Sequence, residues 1–163
     1  MRVLGIDPGS RFTGWGVLDC QGARVQLVAW GRLAPAQDLP LADRLLRLAD
    51  GLEAVLAEHG PDLAAIERVF HGRNTRSLIV LAEARGALLA TLARARVELA
   101  ELAPAAVKSA VTGSGRADKQ QVARMVRLQL GLRDAVLPLD SSDALAVALA
   151  CGQSAAGGRL AIR

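Results

Sequence analysis

Residues 3–18 read VLGIDPGSRFTGWGVL, and this stretch decides the fold of the chain. An apolar strand stops on a carboxylate, Asp7, and a second strand returns beside it after a turn. The turn is predicted because proline presets φ and glycine admits positive φ in Asp-Pro-Gly. An acid at the end of a buried strand commonly caps a turn. Asp7 therefore indicates a functional site only if other carboxylates converge on it.

The composition is that of one compact domain. The chain has 163 residues, of which 52% are hydrophobic and 22% charged, so its core needs no disulfide. Cys20 and Cys151 lack metal-binding or C-x-x-C spacing and are typical of a reducing compartment. No signal peptide or membrane-spanning run is visible, so we expect a cytoplasmic protein without a membrane partner. The 20 Lys and Arg against 16 Asp and Glu permit a polyanionic partner without establishing one.

Periodicity and turn residues predict five strands and five helices. The predicted strands are residues 2–7, 13–19, 24–33, 63–66 and 97–102. The predicted helices are residues 41–59, 75–95, 104–111, 119–130 and 144–151, with Asp118 as a helix N-cap. This order predicts an α/β fold, a five-stranded mixed sheet flanked by helices on both faces. We expect a single domain over residues 1–152 and a flexible tail over residues 153–163.

Three further carboxylates are placed where they can join Asp7. The fourth strand ends on Glu67, and the preceding helix makes a crossover that lays this strand parallel to the first. Asp140 and Asp143 lie three residues apart at a helix start, so both point to one face of its first turn. Alternatively, one of these two caps the helix and the other is solvated.

The four acids together predict a metal site. Crowded carboxylates repel one another unless a cation offsets their charge. No cluster of His or Cys competes, and hard oxygen ligands favour Mg²⁺ or Mn²⁺ over zinc. Four acids suit two metal ions roughly 4 Å apart, which can clamp the attacking and leaving oxygens of a phosphodiester.

Several motifs resemble those of the RuvC-type Holliday junction resolvases, crossover junction endodeoxyribonucleases of the ribonuclease H-like superfamily. They are GIDPGSRFTGWG at 5–16, AIERVF at 65–70, ARG at 84–86, VK at 107–108, GSGRADKQQVARMV at 113–126 and DSSDALAVAL at 140–149. The resemblance implies a ribonuclease H-like fold. It also implies that Asp7, Glu67, Asp140 and Asp143 are the catalytic, metal-binding acids.

The same resemblance implies the substrate and the partners. It implies a homodimer that binds a four-way DNA junction and nicks two opposed strands, for recombination and repair. Water activated by Mg²⁺, with two ions per active site and Mn²⁺ as a substitute, would leave 5′-phosphate and 3′-hydroxyl ends. A branch-migration motor complex is implied as a partner. We expect the dimer surface on the small-residue face of the predicted helix 75–95, which carries Ala82, Ala84, Gly86, Ala87 and Ala90.

Six residues are candidate DNA contacts. The family's aromatic wedge falls on Phe70, and its basic DNA-contacting positions fall on Lys108 and Lys119. Base–aromatic stacking is worth about 1–3 kcal/mol, which suits an aromatic side chain in a basic loop. The remaining candidates are arginines that could neutralise phosphates, although each could equally be an ordinary surface residue. They are Arg73, Arg76 and Arg116.

Three other functions stay open. Resolvase-like nucleases that process ribosomal RNA precursors also begin with an Asp-x-Gly turn, but they lack the AIERVF and DSSDAL motifs. Half of an actin-like phosphotransferase would open similarly, but this chain is short for a second lobe and shows no second phosphate loop. A non-catalytic junction-binding protein would have lost its acids, whereas all four are present.

Overall fold

The sheet follows the predicted order of elements. The computed structural model describes residues 1–9, 11–22, 24–68, 75–132 and 136–158. Its strands are β1 Arg2–Asp7, β2 Thr13–Gln21, β3 Arg24–Leu33, β4 Leu63–Glu67 and β5 Glu98–Leu102. They lie in the order β3-β2-β1-β4-β5. The pairs β1–β2 and β2–β3 are antiparallel, whereas β1–β4 and β4–β5 are parallel. The prediction of a five-stranded mixed sheet is therefore confirmed.

Helices cover both faces of this sheet, as predicted. They are α1 Leu41–His59, α2 Thr75–Arg94, α3 Pro104–Thr112, α4 Lys119–Gln129 and α5 Leu139–Ala156. One core joins α1 and α2 to the sheet, and a second core joins α3, α4 and α5 to the opposite face. Within the described ranges, no helix is long and apolar enough to cross a membrane.

Residues at the helix ends account for most of these boundaries. Gly60 ends α1 in a left-handed conformation with φ of 52°, which glycine adopts without steric cost. Asp118 is the N-cap of α4, as predicted, and forms a capping box with Gln121. Pro104 lies at the first position of α3, where its missing N–H is not needed. These local signals explain why the predicted bounds of α1, α3 and α4 differ from the observed ones by at most one residue.

The largest difference concerns α5, which was predicted over residues 144–151. The helix begins at Leu139, directly after Pro138, whose carbonyl accepts a hydrogen bond from Ser142 N at 3.0 Å. Ser141 Oγ donates to the Gly31 carbonyl at 2.9 Å and ties this first turn to β3. The helix runs to Ala156 and so includes four residues that the sequence assigned to a tail. Both carboxylates at its start are therefore inside the helix.

Side chains on the central strands alternate between the two cores. On β1, Leu4 and Ile6 pack with α1 and α2, whereas Val3 packs with α5. Gly5 also faces α5, since a Cβ there would lie 2.6 Å from Ala148 N. Asp7 continues this second series because side chains two apart on a strand share a face. The strand therefore directs its final carboxylate toward the α5 side of the sheet.

Glycines on this face allow α5 to lie directly against the strands. A Cβ on Gly5 would overlap the Ala144 carbonyl oxygen, and one on Gly14 would overlap the Asp140 carbonyl oxygen. A Cβ on Gly16 would overlap the side chain of Leu145. Backbone therefore meets backbone along β1 and β2, and any larger residue would push α5 away from the sheet. Most of α5, from Ser141 to Gly152, is buried.

We predict that Gly5→Ala destabilises the protein by about 3 kcal/mol, the upper end of the usual cost of overpacking, because the added methyl group must displace α5. Gly51→Ala in α1 is the matched control. Its Cβ would meet only the flexible end of Leu33, at 2.9 Å, and alanine favours the helix by up to about 1 kcal/mol. The free energy of unfolding in urea measures both effects. Equal stabilities for the two variants would contradict the close packing of α5.

Candidate active site

Two parallel strands bring the first two carboxylates together. β1 and β4 pair in register with Ile6 opposite Ile66, so Asp7 and Glu67 follow at neighbouring strand ends. Both continue the series of side chains that face α5, because Val3 on β1 and Leu63 on β4 belong to that core. The predicted convergence of these two acids at one sheet edge is therefore seen in the structure.

Three helices complete a small cleft above this edge. Its cavity volume is about 100 Å³, and its charged lining consists of Asp7, Glu67, Lys108, Lys119 and Asp143. Lys108 comes from α3, Lys119 opens α4, and Asp143 comes from the start of α5. The remaining lining is apolar and comes from Pro104, Val107, Val122 and Ala146. The cleft therefore combines three acidic and two basic side chains with an apolar wall.

Burial and crowding disfavour ionisation of the strand-end acids. Burial, followed by the negative charges of Asp143 and Glu67, raises the pKa of Asp7 to about 7, against the opposing effect of Lys119. The pKa of Glu67 is also raised, first by burial and then by Asp143, while Lys119 and Lys108 oppose the shift. Raised carboxyl pKa values of this kind are typical of functional sites, because the fold itself does not require acidic side chains to lie so close together.

The ammonium group of Lys119 partly offsets this negative charge. Its Nζ donates a hydrogen bond to Asp143 Oδ2 at 3.2 Å, and the Asp143 side chain is only 21% exposed. The carboxylate of Asp143 is the main cause that raises the pKa of Lys119, so the lysine stays protonated. In this arrangement a cation already lies against one wall of the cleft.

The donor set fits a hard divalent cation. Three carboxylates from three different elements border one small cavity, and oxygen ligands of this kind suit Mg²⁺ or Mn²⁺. No three His, Cys, Asp or Glu in the described ranges already stand close enough to form a coordination group. The charge of a bound ion would relieve the repulsion that contributes to the raised Asp7 pKa.

Asp140 does not line the cleft. Its Oδ2 lies 3.9 Å from Arg32 Nη1 at the end of β3, and its charge is the weakest of the effects on the Asp7 pKa. Three residues along a helix turn by about 300°, so side chains at that spacing point roughly 60° apart. The structure thus places Asp143 toward Glu67 and turns Asp140 toward β3, although the sequence predicted one shared face.

The predicted DNA contacts are distributed around the cleft. Lys108 and Lys119 line it, while Arg116 is exposed on the loop between α3 and α4, where it borders a separate open groove. Arg76 is exposed in the first turn of α2. Phe70 and Arg73 lie outside the described residues. The structure thus places both lysines at the acids and leaves the two described arginines farther out.

Two features near the site were missed by sequence reasoning. Arg85 Nη2 bonds Glu101 Oε2 at 2.6 Å, and its Nε donates to the Glu67 carbonyl at 3.4 Å, so it ties α2 to the ends of β4 and β5. Arg85 could have been recognised from the sequence, because it is a charged residue within the apolar stripe of a predicted helix. Arg32 stacks over the Phe12 ring at 4.1 Å beside Asp140, and no local pattern marks that pair.

The sequence matches known proteins over most of its length. The profile of the family described as "Crossover junction endodeoxyribonuclease RuvC" matches residues 3–151. The protein of that name from Chloroflexus aggregans is 45% identical over 149 residues, covering 91% of each chain. The one from Anaeromyxobacter dehalogenans strain 2CP-C is 49% identical over 149 residues, which cover 91% of this chain and 79% of the relative.

Solved structures with the same fold include junction-bound ones. The structure titled "T. thermophilus RuvC in complex with Holliday junction substrate" is 32% identical and superposes with a TM-score of 0.92, covering 100% of this chain and 99% of that one. A yeast mitochondrial Holliday junction resolvase superposes with a TM-score of 0.64 at 16% identity, covering 96% and 80%. At that identity the second likeness concerns the fold alone.

The raised pKa of Asp7 predicts how stability depends on pH in EDTA. The carboxyl has a pKa of 3.8 in the unfolded chain and about 7 in the folded one, so the folded state binds this proton more tightly. Ionisation then removes stability as the pH rises from about 4 to about 7. Asp7→Asn stays neutral, so we expect it to match the wild type near pH 4 and to exceed it by about 2–4 kcal/mol near pH 8.

The free energy of unfolding in urea at both pH values tests this expectation. Asp50→Asn is the control, because it makes the same change at an exposed position on α1, outside the cleft. If the free energies of unfolding of Asp7→Asn and the wild type differed by the same amount at both pH values, ionisation of Asp7 would not destabilise the folded protein.

Proposed function

The chain belongs to the RuvC family of crossover junction endodeoxyribonucleases, and from this premise we propose how its cleft resolves Holliday junctions. Its sheet has the ribonuclease H-like arrangement of that family. The observation that carries the proposal is the meeting of Asp7, Glu67 and Asp143 in one cleft with Lys108 and Lys119. Acids to hold cations and cations to hold a phosphate are what phosphodiester cleavage needs.

Each residue of the cleft has a role in this proposal. Asp7, Glu67 and Asp143 would hold two Mg²⁺ ions, with Mn²⁺ as a substitute, and Asp140 would complete the set after turning from Arg32. The bound ions would supply an activated water and would neutralise charge on the phosphodiester. Lys119 would exchange its carboxylate partner for a DNA phosphate, and Lys108 would bind the same strand. The apolar wall would exclude bulk water from the reacting group.

The remaining proposals concern the wider assembly. We propose a homodimer, because two identical sites related by a two-fold axis match the near two-fold symmetry of an open junction. Phe70 would enter the junction centre as an aromatic wedge, with Arg73, Arg76 and Arg116 on the surrounding phosphates. A branch-migration motor would deliver the junction, and a cytoplasmic location would give access to DNA.

Part of the α2 surface suits the proposed dimer. Ala82, Gly86 and Ala90 are exposed at four-residue spacing, and Ile79 is 54% exposed one turn earlier. Ala84 is buried against the core, so it belongs to the fold of one subunit rather than to a contact between two. Small side chains at this spacing allow a second helix to approach closely.

The function is tested by measuring the nicking of a labelled four-way junction and, separately, of a linear duplex of the same sequence. We expect paired nicks confined to the junction in Mg²⁺ and none in EDTA. Asp7→Asn should bind the junction nearly as well as the wild type. It should cut at least about 100-fold more slowly, since a lost ligand costs more than the 10–100-fold typical of a lost supporting group.

Asp50→Asn again serves as the control and should cut at the wild-type rate. Cutting by Asp7→Asn at that rate would show that the acids do not form the metal site. Equal binding and cutting of junction and duplex would contradict junction selectivity and would favour another nucleic acid substrate.

We predict that Gly86→Arg converts the dimer to a monomer, because a long cation cannot fit between closely packed helices. Sedimentation velocity measures the change, and Ala57→Arg on the exposed side of α1 is the control that should stay dimeric. A variant that sediments like the wild-type dimer would exclude this part of α2 from the interface.

A further inference from the structure

One arginine lies in the same cross-strand row as the acids. Arg32 pairs with Gly14 across β3 and β2, and Gly14 pairs with Asp7 across β2 and β1. Directly paired residues point to the same face, so Arg32 is directed toward α5, where Asp140 meets it at 3.9 Å. Strands lie about 4.8 Å apart, which puts the Arg32 backbone roughly 10 Å from that of Asp7. A fixed cation therefore lies beside the acids on the β3 side.

The guanidinium group of Arg32 is oriented by a neighbouring ring and remains accessible to solvent. Its guanidinium carbon lies 4.1 Å from the centre of the Phe12 ring, an arrangement that orients the planar group. The distance of 3.9 Å to Asp140 is longer than a hydrogen bond, and the Arg32 side chain is 40% exposed. A braced guanidinium with exposed N–H groups is suited to bind a planar pair of anionic oxygens.

A second arginine extends this charge away from the cleft. Arg47, exposed on α1, borders an open groove together with Arg32, and the groove has a volume of about 420 Å³. Its floor is formed by Leu33, Ala34, Pro35, Ala36 and Leu39. The groove is connected to the start of α5 through the contact between Arg32 and Asp140.

We propose that Arg32, braced by Phe12 and followed by Arg47, binds the DNA backbone on the β3 side of the cleft. Lys108 and Lys119 line the cleft from α3 and α4, whereas Arg32 contacts Asp140 from β3 and Arg47 lies beyond Arg32 on α1. Strand-end carboxylates repel a polyanion, so cations on both sides of them are needed to hold a strand across the cleft. This inference rests on the proposed function and adds a phosphate-binding surface to it.

The simplest competing explanation is that Arg32 only neutralises Asp140. The two explanations differ when Asp140 has no charge, so the test uses Asp140→Asn as the background for every variant. Junction binding is measured by fluorescence anisotropy in EDTA over a range of salt concentrations, which removes both cutting and metal binding from the result.

In that background we expect Arg32→Ala to weaken junction binding about tenfold at low salt. We also expect it to reduce the slope of log affinity against log salt by about one, as for one lost phosphate contact. Arg47→Ala should also reduce the slope. Arg32→Lys should keep the slope while weakening the binding, because a lysine keeps the charge and loses the bidentate geometry. Arg24→Ala, at the opposite end of the same strand, is the control and should change neither quantity.

Unchanged affinity and slope for Arg32→Ala in the Asp140→Asn background would overturn the inference and leave the proposed function intact. A similar loss for Arg24→Ala would overturn it too, because net charge alone would then explain the binding. Failure of the wild-type protein to prefer the junction over duplex would instead reject the proposed function. Thermal melting of each variant excludes misfolding as the cause of a loss. Arg47→Ala tests the surface independently, because Arg47 forms no ion pair with an acid within the part of the chain that the structure describes.

Discussion

The contact of α5 with the glycines of β1 and β2 is the constraint on which the site depends. Because Gly5, Gly14 and Gly16 present no side chain, the helix backbone lies against the strand backbone. That distance decides how closely Asp143 can approach Asp7 across the sheet edge. The glycines of the first hairpin are therefore as much a part of the site as the acids, although they carry no reactive group.

The same packing makes the site electrostatically costly. Acids that end buried strands beside a buried helix are partly withdrawn from water, and the negative charge of Asp143 adds to the raised pKa of both Asp7 and Glu67. Lys119 relieves part of this cost through Asp143, and Lys108 opposes the shift at Glu67, but two ammonium groups cannot balance three carboxylates. The crowded acids thus lower the stability of the protein at the place where a divalent cation and a phosphate are proposed to bind. Such a local loss of stability is a usual feature of functional sites.

Local signals made the fold predictable, and long-range contacts limited the prediction of the site. Turn residues and caps mark the ends of most elements, and a crossover helix makes β4 parallel to β1, so Asp7 and Glu67 could be paired from the sequence. The first residue of α5 was predicted at Ala144 because residues 138–143 were interpreted as leading into the helix, whereas the helix begins directly after Pro138. The turn of Asp140 toward Arg32 depends on a contact 108 positions away in the chain, which no local pattern reveals.

The distribution of charge around the cleft connects the fold to its substrate. Lys108 of α3 and Lys119 of α4 line the cleft with the acids, while Arg32 of β3 contacts Asp140 and shares a separate groove with Arg47 of α1. The net charge of the whole chain does not reveal this distribution, because it is only +4. A duplex and a junction carry similar charge, so cationic side chains would supply affinity for either one, while the geometry of two paired sites in the proposed homodimer would supply selectivity. On this proposal the sheet edge would determine where the backbone is cut, and the assembly would determine which DNA is bound there.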